Sequence, residues 1–177
     1  MIITIRKGTS VNLTSHIVEM IEAHARDAVD YYSNKNNRSV NQKMEHIIRG
    51  KMAEYGYWLI CKNIGIVQIS EPDLKNHKNG DDGGFDFKLN GVKVDVKSLD
   101  TTKRGYHQMP VSEGLRAEAY VLCWVDMKNK TVIYDGAITR EKIGTYGLLE
   151  EGKNPITGKP YKYVNKNHLK ELNENFE

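Results

Sequence analysis

The sequence predicts an α/β (α+β) domain, a mixed central sheet flanked by helices with an added helix at the N-terminus, and three observations carry that expectation. Two segments with helical apolar spacing come first, over residues 15–33 and 39–63. A hairpin signal follows at 85–98, "FDFKLNGVKVDVKS", which alternates and turns once at Asn90-Gly91. Then "AYVLCWV", 119–125, runs apolar without a break over strand length, the pattern of a central strand covered on both faces.

In chain order, Ile2 to Arg6 predicts a short first strand. The helix over Ser15 to Ser33 sets Val18, Ile21, Ala25, Ala28 and Tyr32 along one seam, which suits packing on the domain's own core and, as an alternative, a homodimer contact. The next helix opens with Ser39 and Gln42 in capping-box positions, presents Met44, Ile48, Met52, Tyr55 and Leu59, and stops near Asn63 before Gly65. Glu54 lies at the edge of that buried stripe, where a carboxylate needs a partner. "IGIVQIS", 64–70, predicts a strand, and "TVIY", 131–134, one paired with 119–125 through "DMKNK". Thr139 is placed to cap a short helix, and a last helix is expected over Asn167 to Leu172.

The 177 residues suit one domain over 1–177, with a core at 39–143 between extensions at 1–38 and 144–177. A formal charge of +3 permits a polyanionic partner without demanding one. Cys61 and Cys123 lack metal-binding spacing and suit a reduced interior with no disulfide. "MIITIRKG" is too short for a signal peptide and no later run approaches membrane-spanning length, so the expectation is a soluble, cytoplasmic protein.

The hairpin register follows from its turn. With Asn90 and Gly91 as the loop, Leu89 faces Val92, Lys88 faces Lys93, Phe87 faces Val94, Asp86 faces Asp95 and Phe85 faces Val96. One face is then Phe85, Phe87, Leu89, Val92, Val94 and Val96, and the other Asp86, Lys88, Lys93, Asp95 and Lys97. Asp86 and Asp95 fall in a non-hydrogen-bonded pair, where side chains come closest. At about 5 Å and an effective dielectric near 20, their repulsion is roughly 3 kcal/mol. Lys97 supplies one positive charge, and a hard divalent ion on oxygen ligands would neutralise both acids.

Glu54 on a helix, Asp86 on the first hairpin strand and Asp95-Val96-Lys97 on the second resemble the PD-(D/E)XK nuclease superfamily. That family sets a helical glutamate, here in "RGKMAEYGYWLI", against a hairpin carrying an aspartate and then an acid-x-lysine triplet, here "DVK". "AEAYVLCWVD" and "DGAITREKI" resemble the later strands and short helix of prokaryotic and phage members, so the likeness spans roughly 40 to 143. Pro72-Asp73 supplies a literal Pro-Asp, but the turn ties Asp86, not Asp73, to Asp95. "YHQ", Tyr106 to Gln108, is a loose counterpart of the family's glutamine and tyrosine helper motif.

The resemblance implies a restriction-endonuclease-like core and a metal-dependent hydrolase of DNA phosphodiesters. Asp86, Asp95 and the Val96 carbonyl would hold Mg²⁺, with Mn²⁺ substituting and Ca²⁺ binding without turnover. Lys97 would orient the attacking water or stabilise transition-state charge, and Glu54 would act through a coordinated water or a second ion. Lys93, Lys103, Arg104, His107 and Gln108 are candidates for phosphate contact. His46 and His77 lack companions at metal spacing and read as surface residues. The alternative is an inactive nuclease-like fold that binds nucleic acid without cutting.

Overall fold

The structure, a computed structural model, describes residues 3–30, 39–74, 84–103, 107–111, 114–153, 160–171, 173 and 176. Among them, a five-stranded mixed sheet carries the core. Strands β1 (Ser10–Asn12), β2 (Phe87–Leu89), β3 (Val92–Asp100), β5 (Ala119–Asp126) and β6 (Thr131–Thr139) lie in the order β1-β6-β5-β3-β2. Among the described strands, only β3 and β5 pair in parallel. A second sheet has β8 (Pro160–Asn165) between β4 (Gln108–Val111) and β7 (Leu149–Lys153).

Helix α1 (Ser15–Ala28) starts at Thr14, whose hydroxyl accepts the Ile17 N–H. Its expected seam is buried within the chain at Val18, Ile21, Ala25 and Ala28. The helix stops at Ala28, short of the predicted Ser33, and Tyr32 lies outside the described residues. Val29 and Asp30, both weaker helix formers than the alanines before them, make the turn there.

Helix α2 (Val40–Asn63) begins as the sequence predicts. Ser39 Oγ accepts the Gln42 N–H at 3.3 Å and Gln42 Oε1 accepts the Ser39 N–H at 3.0 Å. At its far end the Gly65 N–H donates to the Lys62 carbonyl at 3.0 Å. The buried surface is wider than one stripe, because every residue from Met52 to Tyr57 is buried, Glu54 among them. This half of α2 lies across the main sheet so closely that a Cβ on Gly56 would stand 2.4 Å from Val132 Cβ. Cys61 and Cys123 lie fully buried and reduced in the same layer. Burial pushes the Cys61 thiol up to about 12, partly offset by its bond to the Tyr57 hydroxyl.

The β5 strand is the buried centre, every residue from Ala119 to Val125 being sealed between β3 and β6. Thr139 caps α3 (Arg140–Thr145) through the Lys142 N–H at 3.2 Å. Three expectations fail. Residues 3–6 are not a strand, Thr4 making only an isolated bridge to Asn173, and the first described strand is Ser10–Asn12, while Ile2 lies outside the described residues. Residues 64–70 are not a strand, since only Ile69 bridges, to Leu89. The short apolar run turns after α2 and lends the edge of β2 a few bonds, Ser70 N–H to Lys88 carbonyl and Asn90 N–H to Gln68 carbonyl. At the C-terminus a 3₁₀ turn over Lys166–His168 replaces the expected helix, because Leu169 drops into the core and Lys170 bridges Ala137.

Two apolar layers flank the main sheet. One, under α2, includes Phe87, Leu89, Val94, Val96, Val121 and Val132. The other, beneath the second sheet, includes Met109, Tyr120, Leu122, Ile138 and Val164. No helix among the described residues is long and apolar enough to cross a membrane.

Candidate metal and nuclease site

Near its turn the hairpin has the predicted register, Leu89 with Val92, Lys88 with Lys93 and Phe87 with Val94. Asn90 and Gly91 take φ of 48° and 85°, the left-handed pair that a two-residue hairpin turn requires. Beyond Phe87 the ladder stops. Asp86 does not pair with Asp95, nor Phe85 with Val96. Instead the Asp86 N–H donates to the Val94 carbonyl at 2.8 Å, and Asp86 Oδ2 accepts the Val96 N–H at 2.6 Å. A carboxylate has replaced the backbone acceptor that Phe85 would have offered. The charge-assisted bond is stronger than the one it displaces, and two acids avoid direct opposition.

This departure also moves Phe85. It packs against the layer beneath the second sheet rather than with Phe87, and Lys93 Nζ stands 5.3 Å from its ring centre.

The result is an acid seated against the β3 backbone where the β2 ladder ends. Val94 and Val96 point into the α2 layer, so Asp95 and Lys97 lie on the other face, in register with Tyr120 and Leu122. Lys97 Nζ is 2.6 Å from Asp95 Oδ2. Glu54 belongs to α2, which covers the opposite face, and Lys51 Nζ holds its Oε2 at 2.7 Å. Asp86 feels acids from both sides. Burial first, then the charges of Glu54 and Asp95, push its carboxyl well above the usual carboxylate range, while the Val96 N–H and Lys97 draw it back. Within an extended strand the N–H and C=O of one residue face the same side, so the Val96 carbonyl opens onto the edge that Asp86 occupies.

Glu54, Asp95 and Lys97 thus each act electrostatically on Asp86, and Lys97 is paired directly with Asp95. Among the described residues, no three His, Cys, Asp or Glu side chains are grouped closely enough to hold a metal ion. Mg²⁺ needs fewer, since it binds through one or two carboxylates and keeps several waters. Asp86 and Asp95, oxygen donors with excess negative charge at one strand edge, suit such an ion by chemistry.

The basic candidates are placed less closely. Lys93 is engaged with the Phe85 ring, and its backbone N–H donates to Glu118 Oε2 at 3.0 Å. Lys103 ends the 3₁₀ turn Thr101–Lys103, and its side chain, with Arg104 and Tyr106, lies outside the described residues, as does His77. Gln108 accepts the Tyr161 hydroxyl and so ties β4 to β8. The exposed His107 accepts the Lys166 N–H at its carbonyl. His46 is exposed and lies beside Arg49, with Nδ1 and Nη2 3.2 Å apart.

Sequence reasoning passed over Lys51, although its place three residues before Glu54 on a helix was a readable signal. Asp73 stands near enough to act on Tyr55 and His24, whose ring meets the Leu74 backbone. The chain matches no protein-family model, and no curated protein is similar to it.

Proposed function

We propose that this protein is a metal-dependent nuclease with a restriction-endonuclease-like core, hydrolysing DNA phosphodiesters at the open edge of β3. The observation that supports it most is the Asp86 carboxylate, seated on the Val96 N–H at 2.6 Å and pressed by Glu54 and Asp95. A buried carboxylate under the charge of two further acids is costly to keep ionised, and a bound cation would offset that cost.

In this reading Asp86, Asp95 and the Val96 carbonyl would hold the ion. Bound Mg²⁺ supplies Lewis acidity to the scissile phosphate and lowers the pKa of water. Lys97, on the same strand face as Asp95, orients the attacking water and neutralises charge that grows on the phosphate oxygens. Glu54 would act through a coordinated water or a second ion. Among the described strands, none pairs with this edge of β3 beyond Phe87, and in this reading the phosphate approaches from that side.

The rival reading, a nuclease-like fold that binds nucleic acid without cutting, draws on the two lysines that already neutralise Glu54 and Asp95. Incubation with labelled duplex, branched and single-stranded DNA and with RNA, in Mg²⁺ or Mn²⁺, separates the two. Cleavage that disappears in Asp86→Asn supports the enzyme. Binding without cleavage of any member of the panel supports the rival.

A further inference from the structure

The end of the main sheet nearest the β2–β3 turn carries a row of charge, and two backbone bonds define it. The Glu118 N–H donates to the Lys93 carbonyl at 2.9 Å, and the Arg140 N–H donates to the Glu118 carbonyl at 2.8 Å. These bonds carry the pairing of Val94 with Ala119, and of Ala119 with Thr139, one residue further. Lys93, Glu118 and Arg140 therefore stand side by side, and Lys88 completes the row as the hairpin partner of Lys93. Cross-strand partners share a face, and Lys93 is two residues from Asp95, so the row lies on the side of Asp95 and Lys97. All four residues are exposed. With strands about 4.8 Å apart, the row spans roughly 14 Å.

Its cations are held in place without being neutralised. Lys93 Nζ lies over the Phe85 ring, and Arg140 Nη1 donates to the Leu115 carbonyl at 3.4 Å. Among the described residues, neither these two nor Lys88 makes a salt bridge. Arg116, also exposed, brings a fourth positive charge beside Phe85, its stem packed so tightly on Gly84 that a Cβ there would stand 2.6 Å from Arg116 Cδ. The opposite end of the sheet is balanced instead. There Lys130 Nζ is 3.9 Å from Glu22, and Asp126 accepts the Lys128 N–H at 3.0 Å.

We infer that Lys88, Lys93 and Arg140 form a seat for the phosphate backbone of a DNA strand, read without regard to base sequence, one rung from the Asp95–Lys97 pair. Like charges in a row repel, and a line of phosphates offsets that repulsion. The step from Lys93 to Asp95 is about 7 Å along β3, so a strand held on the row passes beside the candidate site. The inference takes its ligand from the reading above, and it holds whether that DNA is cut or only bound.

The test is fluorescence anisotropy of the full chain with two labelled duplexes of unrelated sequence, in chelator to prevent cleavage, over a series of salt concentrations. Lys88→Gln, Lys93→Gln and Arg140→Gln are each expected to weaken binding about fivefold to tenfold at about 0.1 M salt, equally on both duplexes. Each should also lower the slope of log affinity against log salt by about 0.9. Glu118→Gln, which keeps an oxygen for the Lys93 N–H, should tighten binding. Lys128→Gln removes the same unit of charge at the opposite end and should leave the slope unchanged.

If wild type binds while all three variants of the row keep its affinity and slope, or if Lys128→Gln loses as much as they do, the row is overturned and DNA binding stands. If the three variants lose slope as expected and wild type cuts no DNA in Mg²⁺, the row stands and the nuclease reading falls. If wild type binds no DNA, duplex or single-stranded, at the lowest salt, both fall.

Discussion

The two ends of the β2–β3 hairpin obey different physics. At the turn, Asn90 and Gly91 take left-handed backbone angles and the flanking residues pair as a regular ladder requires. At the open end the ladder is abandoned, Asp86 turns its carboxylate onto the Val96 N–H, and Phe85 crosses to the other face of the sheet. Steric rules and the pleat govern the first end, and electrostatics governs the second. A backbone bond worth about 1 kcal/mol net is readily given up where a carboxylate can take the same N–H and two acids can avoid each other.

Substitutions at the two ends should therefore fail in different ways. The largest effect belongs to the open end. Asp86→Asn, Asp95→Asn and Lys97→Ala are each expected to slow Mg²⁺-dependent cleavage of labelled DNA by roughly a hundredfold or more while the circular dichroism spectrum stays native. Wild-type rates in any of the three would remove that residue from the site.

Nucleic-acid affinity comes next. Phosphate contacts release counterions, so binding in Ca²⁺, without turnover, should weaken roughly tenfold or more between about 50 and about 200 mM salt. A flat salt dependence in an anisotropy titration would contradict a phosphate-reading edge.

At the turn the expectation reverses. Gly91→Val forces a branched side chain to a φ of 85° and should destabilise the fold by about 1–2 kcal/mol in urea melts, with little change in cleavage per folded molecule. Loss of cleavage beyond the loss of folded protein would show that the two ends are coupled.

The smallest effect sharpens the contrast most. In chelator, Asp86→Asn should melt higher than wild type, by on the order of 1 kcal/mol, because it relieves repulsion yet keeps an oxygen for the Val96 N–H. The sign with pH is fixed. A carboxyl whose folded-state pKa is raised stabilises fully below the ordinary carboxylate range, and that stability is lost as pH rises through the folded value. The advantage of Asp86→Asn over wild type should accordingly grow with pH. Millimolar Mg²⁺ should reverse the ranking, since the ion stabilises the protein that binds it. Parallel thermal melts, with and without Mg²⁺ at several pH values, check both statements.

The same division decides how much was legible in the sequence. The α2 capping box, the β5 core strand, the Thr139 cap and the hairpin turn are local and chemically specific, so reading residues in order reaches them. The second sheet was missed because "LEEGK" and "PYKYVN" are short, polar and interrupted by glycine or proline, with no period strong enough to register. In the candidate site, the electrostatic link of Glu54, Asp95 and Lys97 to Asp86 could be anticipated from the sequence, and the geometry between them could not. The alternation rule placed Asp86 opposite Asp95 by assuming that the ladder continues, whereas a long-range balance of charge and one backbone donor ends it. Lys51 escaped because a helix pattern sorts residues into buried and exposed, and a half-buried lysine belongs to neither class.

The two thiols sealed between α2 and the sheet give the molecule an internal clock. Cys61 and Cys123 are fully buried, and with its proton held to about 12 the Cys61 thiol offers alkylating reagents almost no thiolate while the fold is closed. Reaction requires that α2 lift from β5 and β6, an opening of the whole core rather than a fraying of its edge. The rate at which a maleimide labels the intact chain thus measures how often the layer behind Glu54 comes apart.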